Sequence, residues 1–493
     1  MPDNITFMSI PLNWRVPGAF VEVDHTKAVR GLPSMPHRIL LLGQRLATGS
    51  VAAGVPTRVT RAADGVDYFG RGSQLAQMVA AALKVNSSTE LWALALDDLP
   101  AGVKATGTLA VTGTATEAAT LYAYVGGGRV AVNVAVGDTA AVVATALAAA
   151  INANADLPAT ATAAAGTVTV TARHKGLTGN DIDLRVGYYQ GEKSTAAGLT
   201  IAITAMASGA GNPDVTAAIA AMSTGSFYTI AMAWTDATNM AAMETELAGR
   251  WGGMDMRAGH VIGCLSGTFS GLTTIGSARN SPHSTLFGLK KCPTVPWVTA
   301  AQVAAAVEFS GANDPAIPFR GLRLPDVMAP AEADRFTNTE RNLLMFDGIS
   351  TIIFDVDGSA MVEQVLTTYQ TNTFGLDDTS LLKLNSKWTS DYMRYVFRQA
   401  VVRDYPAHKL ADDNVLGQIS PGQKIATPRL IKNTLIGAAS QLAAVGLLED
   451  LEQFKRELVV VRSASDPNRV NAILPANIVN QFDVFAAAVQ FIL

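Results

Sequence analysis

The chain has 493 residues, of which 49% are apolar and 16% charged, with a formal net charge of −4. Single cores stop growing near about 250–300 residues, so two to four domains are expected, and the charged share lies well under the usual level of about 25%. With no long basic run, a nucleic-acid wrapper is excluded, and the longest apolar stretch, Ala140 to Ile151, is too short for the ~20 residues that span a bilayer. Weakly charged surface then points to cover by other subunits. Met1 to Ile10 holds no basic segment followed by an apolar one, so no secretory signal is read and the chain is expected to stay in the cytoplasm.

Residues 1–30 read as an extended arm. Pro2, Pro11 and Pro17 punctuate it, and its two strand-like runs, Ile5–Ile10 and Phe20–Val23, carry too little apolar surface for a core. Arg38–Gly43 (RILLLG) is a short continuous apolar run, as in a strand buried on both faces. A helix follows at Ser73–Lys84, capped by Ser73, with Leu75, Met78, Val79, Ala82 and Leu83 on one stripe. Leu91–Leu96 returns as a strand.

At Pro100 the composition changes. Residues 101–208 are dominated by Ala, Thr, Gly and Val. Strands are read at Thr108–Thr112, Leu121–Val125, Arg129–Val136, Thr167–Ala172, Ile182–Tyr188 and Leu199–Thr204, with a helix at Thr139–Ile151 capped by Asp138. This is a β-rich module inserted into an α/β domain made of 31–100 and 209–330. Strand and helix alternate again after it: Phe227–Trp234, Thr238–Arg250, His260–Leu265, Phe269–Arg279, Ser284–Leu289 and Val298–Glu308, an order that implies a layered α/β sheet.

Pro315, Pro318, Pro325 and Pro330 mark the next boundary, before a C-terminal α+β domain at 331–480. Thr337 and Glu340 form a capping box for a helix near Arg341–Phe346. Thr351–Val356 and Met361–Leu366 flank Asp357-Gly358, a hairpin turn. Helices are read at Thr389–Arg403 and Pro428–Val445, the second capped by Thr427 and stopped by Gly446. Leu458–Arg462 and Val470–Leu474 make a second hairpin. The fold class is therefore α/β, mixed α+β and multi-domain, with extended terminal arms.

Few residue constellations suggest chemistry. Gly70-x-Gly72-Ser73 before a helix is a possible phosphate cradle, but it lacks a third glycine or a P-loop Lys, and a turn plus cap explains it better. Asp355-x-Asp357-Gly358 lacks the further ligands of a calcium loop. His260 and Cys264 share a strand face, yet no third partner stands at a telling spacing. Cys264 and Cys292 read as buried small hydrophobes. Arg394, Arg398 and Asp391 form either a solvated ion-paired face or a contact with a neighbour. No catalytic, cofactor or metal residues emerge.

The chain's end is more informative. In 481–493, Phe482 and Val484 lie on one face and Phe485, Val489, Phe491 and Leu493 on the other, with only Asp483 and Gln490 to interrupt them. A strand apolar on both faces belongs inside a sheet, its own or a neighbour's. The expectation is pairing with another subunit, with Phe20, Val21 and Val23 of the N-terminal arm taking part in the same exchange.

Several stretches together resemble the sheath proteins of Mu-like contractile phage tails. They are Ile10-Pro11, Arg15-Val16-Pro17-Gly18 and Phe20–Asp24, then Arg38–Gln44 and Tyr68–Ser73. In the C-terminal half they are Asp347–Thr351, Thr367–Gln370 and Asp466–Arg469. The resemblance covers nearly the whole chain outside the insertion. It implies a structural subunit, not an enzyme and without cofactors, that forms hexameric rings stacked helically around a tail tube. Contraction would drive the tube through the host envelope. The implied partners are further copies, the tail tube protein, and the baseplate and tail terminator proteins, with no nucleic acid and no membrane insertion. The implied location is the virion, after assembly in the host cytoplasm. It also implies that the C-terminal domain faces the tube, where Arg429 and Lys432 are candidate contacts, and that 101–208 faces outward. A tube or baseplate component, or an α/β enzyme with a β-rich appendage, are the alternative readings.

Overall fold

The computed structural model describes residues 15–21, 32–414 and 423–492. The chain divides into two compact bodies, 36–387 and 388–493 with 1–35. The mixed α+β class is as expected from the sequence.

In the first body, β1 (Arg38–Gln44), β2 (Thr57–Val59), α1 (Ala62–Phe69), α2 (Gln74–Val85) and β3 (Glu90–Leu96) precede the insertion. The insertion holds β4 (Lys104–Gly113), β5 (Ala119–Val125), β6 (Gly128–Val134), α3 (Ala140–Ala153), β7 (Ala159–Ala164), β8 (Thr167–Lys175), β9 (Leu184–Val186) and β10 (Leu199–Ala207). After it come α4 (Thr216–Met222), β11 (Thr229–Met232), α5 (Ala237–Trp251), β12 (His260–Ser266), α6 (Phe269–Ser277), β13 (Ser284–Leu289) and α7 (Pro296–Asn313). The last elements are β14 (Arg323–Leu324), α8 (Asn338–Phe346), β15 (Ile349–Phe354) and β16 (Ala360–Gln364).

One sheet has the order β14-β16-β15-β13-β12-β11-β1-β3-β2. The six strands from β15 to β3 are parallel, and antiparallel β16 and β2 flank them. These central strands are the continuous apolar runs of the sequence, and Ile39–Leu42 and the whole of β13 are buried, as a sheet covered on both faces requires. Helix α7 is half Ala and Val and is buried almost around its circumference against α2, β11 and β12. Its Glu308, fully buried, is matched by His37 Nδ1 at 2.8 Å and by the Thr229 hydroxyl.

Caps set several helix starts as the sequence indicates. Ser73 Oγ accepts from the Ala76 amide (3.1 Å), and Thr337 and Glu340 form the reciprocal capping box of α8. Other details differ. The helix at α3 is preceded by Thr139, and the Asp138 carboxylate instead accepts from the Ala135 amide (2.7 Å), closing the turn after β6. The strand expected over Ile182–Tyr188 shrinks to Leu184–Val186, because the 3₁₀ turn Leu177–Asp181 occupies the approach to it.

The insertion forms a four-stranded sheet, β10-β4-β8-β7, and a three-stranded one, β6-β5-β9, with α3 against them. Its β8 ends against the carboxyl ends of β1 and β3. Parallel sheets with this reversal of strand order, here between β1 and β11, usually take ligands at that point. In this chain it is filled. Gln44 Nε2 donates to Asp98 Oδ1 (2.7 Å) and to the Lys175 carbonyl (2.8 Å). The Gln74 amide, at the start of α2, donates to His174 Nε2 (3.2 Å), whose Nδ1 lies 2.8 Å from Asp98. A Cβ added at Gly72 would stand 2.4 Å from the Ala155 carbonyl. The glycine turn before α2 thus serves close packing and capping, and its helix amides already have acceptors. Burial alone would raise the Asp98 carboxyl, but its bonds from His174, the Lys175 amide and Gln44 outweigh that and hold it below the usual carboxylate range.

Asp181 is the opposite case. Its carboxylate has no hydrogen bond or ion pair among the described residues, and burial pushes it up to about 7 from 3.8. Between those values the unfolded chain releases a proton that the folded chain keeps, so stability falls as pH rises through that window. Asp181→Asn should therefore stabilise the fold and raise the melting temperature at pH 8, and change it far less at pH 4. An equal effect at both pH values in thermal unfolding would contradict this.

Candidate functional site

The second body begins within α9 (Leu384–Asp404) and continues through β17 (Lys409–Leu410), β18 (Ile425–Ala426), α10 (Pro428–Ala444), β19 (Leu448–Glu449), α11 (Leu451–Glu457), β20 (Val459–Arg462), β21 (Val470–Ile473) and β22 (Asn477–Ile478). Thr427 caps α10, Pro428 sits in its first turn, and Gly446 with φ 77° ends it, as the sequence indicates. Phe397 of α9 stacks on Phe454 of α11, with ring centroids 5.6 Å apart, and joins these helices in a small core. The Tyr392 and Tyr395 hydroxyls donate to the carbonyls of Pro33 and Ser34 (3.2 Å each), which ties residues 33 and 34 to α9.

The strands of this body are short and sparsely paired. β20 and β21 form an antiparallel hairpin, Val459 opposite Ile473 and Val461 opposite Asn471, with no third strand among the described residues. A two-stranded hairpin is marginal in water. One of its faces leaves Val459, Val461 and Ile473 exposed. The other borders a groove of about 510 Å³ whose walls are mainly apolar: Met393 and Phe397 of α9, Ile431 and Leu435 of α10, and Val470 and Leu474. Arg394 and Arg398 stand on the same groove. Arg394 pairs with buried Asp391 at 3.3 Å, so the charge that the sequence left between two readings lines an apolar cleft here.

After β22 the chain runs on to Ile492 without a strand partner among the described residues. Phe482 is 67% exposed, Phe485 78% and Phe491 91%, and Val484 and Val489 are equally open. Pairing inside the chain's own sheet, the competing expectation for this segment, is not what the described residues do. Leu493 and Val23 lie outside them, as does the strand expected at Ile5–Ile10. Phe20 and Val21 are described and exposed. Arg429 is exposed and Lys432 half-buried in the first turns of α10. The apolar pattern of the final segment is legible in the sequence. The groove is not, because its walls come from positions some 80 residues apart, between Met393 and Leu474.

The candidates for chemistry are either buried in the core or held in turns. His260 is fully buried in β12, its Nε2 2.7 Å from the Thr285 hydroxyl, and burial holds it well below its ordinary pKa. Burial pushes the Cys264 thiol well up and Cys292 up to about 12, so neither is a ready thiolate. Asp355 and Asp357 bond backbone amides of their own hairpin turn. No group of three or more His, Cys, Asp or Glu residues is placed to hold a metal ion, and no helix is long and apolar enough to cross a membrane, among the described residues.

Comparison with known proteins places these features. The family model of the phage tail sheath protein central domain matches residues 208–368, and that of the phage tail sheath C-terminal domain matches 377–492. A Mu-like prophage tail sheath protein of Haemophilus influenzae is 41% identical over 490 residues, covering 99% of this chain and 100% of the relative. Among solved structures, a sheath tail protein of Listeria innocua superposes with a TM-score of 0.50 at 12% identity, over 91% of this chain and 93% of that one. One of Desulfitobacterium hafniense gives 0.49 at 14% identity, over 94% and 100%. With two family models over more than half of its length and a close relative along nearly all of it, the chain belongs to the phage tail sheath family.

Proposed function

We propose that this protein is the structural subunit of a contractile tail sheath, and that copies polymerise by exchanging terminal strands. The carrying observation is the presence of two unsatisfied features in one body: a final segment apolar on both faces with no strand partner among the described residues, and a two-stranded hairpin beside an open apolar groove. Placed on a second copy, the segment would complete the hairpin by strand addition. Main-chain hydrogen bonds would then give affinity, and side-chain pockets would give register. Phe482, Val484, Phe485, Val489, Phe491 and Leu493 are the segment's contacts, and Phe20, Val21 and Val23 belong to the opposite arm. Each large apolar side chain so buried contributes roughly 1.5–3 kcal/mol. Exchange in which each copy hands its segment to the next builds rings or open helical polymers, read here as hexameric rings stacked helically.

In this reading the rings surround a tail tube, and contraction repacks them to drive the tube through the host envelope. The tube protein, baseplate and tail terminator are the partners. The subunit is assembled in the host cytoplasm and ends in the virion. The α+β region read at 331–480, of which α8, β15 and β16 belong to the first body and the two strands to its sheet, faces the tube, and the inserted module 101–208, joined to the α/β domain of 31–100 and 209–330, faces outward. The work comes from relaxation between two packings of the same copies, with the terminal strands keeping them linked.

Two experiments bear on this. Deleting Phe485–Leu493 should leave a chain with its thermal transitions intact that stays monomeric in sedimentation. Regular sheaths from the truncated chain would sink strand exchange, and loss of a transition would show that the segment is needed for its own body instead. Reversing Arg429 and Lys432 together to Glu should weaken attachment of the sheath to its tube while free tubes of sheath still form. Unaltered co-assembly at moderate salt would remove these two residues from the tube interface.

A further inference from the structure

The body 36–387 carries a second pair of complementary features, at opposite ends of β13 and β15. At their amino ends a loop rises over residues 369–378. It is tightly fixed. The Gln370 side-chain amide donates to the carbonyls of Asp347 (3.1 Å), Gly276 (3.2 Å) and Arg279 (3.3 Å), near the ends of α8 and α6. Asn372 Oδ1 accepts from the Phe374 and Leu376 amides (2.9 and 3.1 Å), and Gly375 takes the turn at φ 75°. This held tip presents Phe374, 86% exposed, and Leu376, 65% exposed, to solvent beside Asp377 and Asp378. Among the described residues neither side chain is packed into the fold. Residues 369–376 fall between the stretches matched by the two family models, 208–368 and 377–492, and Asp377 and Asp378 open the second.

At the carboxyl ends of the same strands lies a cavity of about 460 Å³ between Leu289, Phe354 and the start of α8. Its walls combine aromatic rings with cations. Arg335 lies 5.4 Å over the Phe354 ring, and Lys290 lies 5.2 Å over Phe336. Arg341 is engaged by Glu363 at 2.8 Å, Lys290 stands 3.8 Å from Glu340, and Glu332 is on the rim. Arg335 donates to the Pro330 carbonyl (3.2 Å) and has no carboxylate within ion-pair distance among the described residues.

We infer that this cavity receives the Phe374–Asp378 tip of a second copy of the chain. The tip offers one aromatic side chain followed by the exposed Asp377 carboxylate, Asp378 being held by the Tyr369 hydroxyl (2.6 Å) and the Ser380 amide (2.8 Å), and the cavity offers aromatic walls and an arginine without a carboxylate. A phenylalanine buries about 150–250 Å² when enclosed, and a tip already held in shape loses little freedom on docking. Because tip and cavity sit at opposite ends of the same strands, the contact is head-to-tail and propagates along the strand direction instead of closing a dimer. It rests on the reading that the subunits polymerise, and adds a contact between α/β bodies that is separate from the exchanged strands.

The test is charge exchange in the full chain, with the concentration at which sedimentable polymer forms as the readout. Arg335→Glu and Asp377→Arg, each alone, should raise that concentration by about tenfold or more, as for the loss of one close charge pair, and the double variant should return near wild type. Phe374→Ala, which alters an exposed side chain, should raise it with no change in thermal unfolding. Single variants that polymerise like wild type, or a double variant no better than the singles, would overturn this contact and leave strand exchange standing. A wild-type chain that forms no polymer under any condition would overturn both.

Discussion

A segment that is apolar on both alternating faces has no stable place at the surface of a single molecule, and this chain ends on one. Its main-chain groups and its phenylalanines all need partners. The C-terminal body holds the matching deficit: a hairpin of two strands, apolar on its outer face and bordered by a groove whose walls include Ile431 and Leu435. Each deficit is costly alone, and the proposed exchange would remove both. Intramolecular closure would also remove it, but the described chain leaves both open. The sparse charge of the whole sequence fits the proposed assembly, since surface covered by other copies has no need of solvating side chains.

The α/β body shows how an architecture often used for ligand binding can serve as a scaffold. The strand order reverses between β1 and β11, where open parallel sheets place their ligands. Here the end of β8 enters that point, and Gln44, Gln74, Asp98 and His174 satisfy one another across it. Polar groups that would otherwise bind a ligand are used to join the insertion to the sheet. Fold alone says little about function in such a case, and the contents of the crevice decide.

Much of the local structure was legible because single residues dictate it. Ser73, Thr337 with Glu340, and Thr427 with Pro428 each mark a helix start that the structure keeps, and the apolar runs RILLLG and STLFGL are buried parallel strands. Helix α1 was missed because its start relies on an unusual exchange between Arg61 and Asp64, with an arginine where a short polar side chain is the usual signal. Strand β7 (ATATAA) was missed because small residues give little contrast between faces. Of the proposed assembly surfaces, the greasy terminal segment was visible in the sequence. The groove, the cation-lined cavity and the anchoring of the 369–378 loop by Gln370 were not, since each joins positions far apart in the chain.

The central claim is that the terminal segment is bare in the free subunit and paired in the assembly. Amide hydrogen exchange read by mass spectrometry, on the free chain and on its polymer, measures this directly. The account predicts rapid exchange across Phe482–Ile492 in the free chain and strong protection of the same amides in the polymer, together with those of Val470–Ile473. Equal, rapid exchange of the segment in both states would contradict it, as would protection already complete in the free subunit.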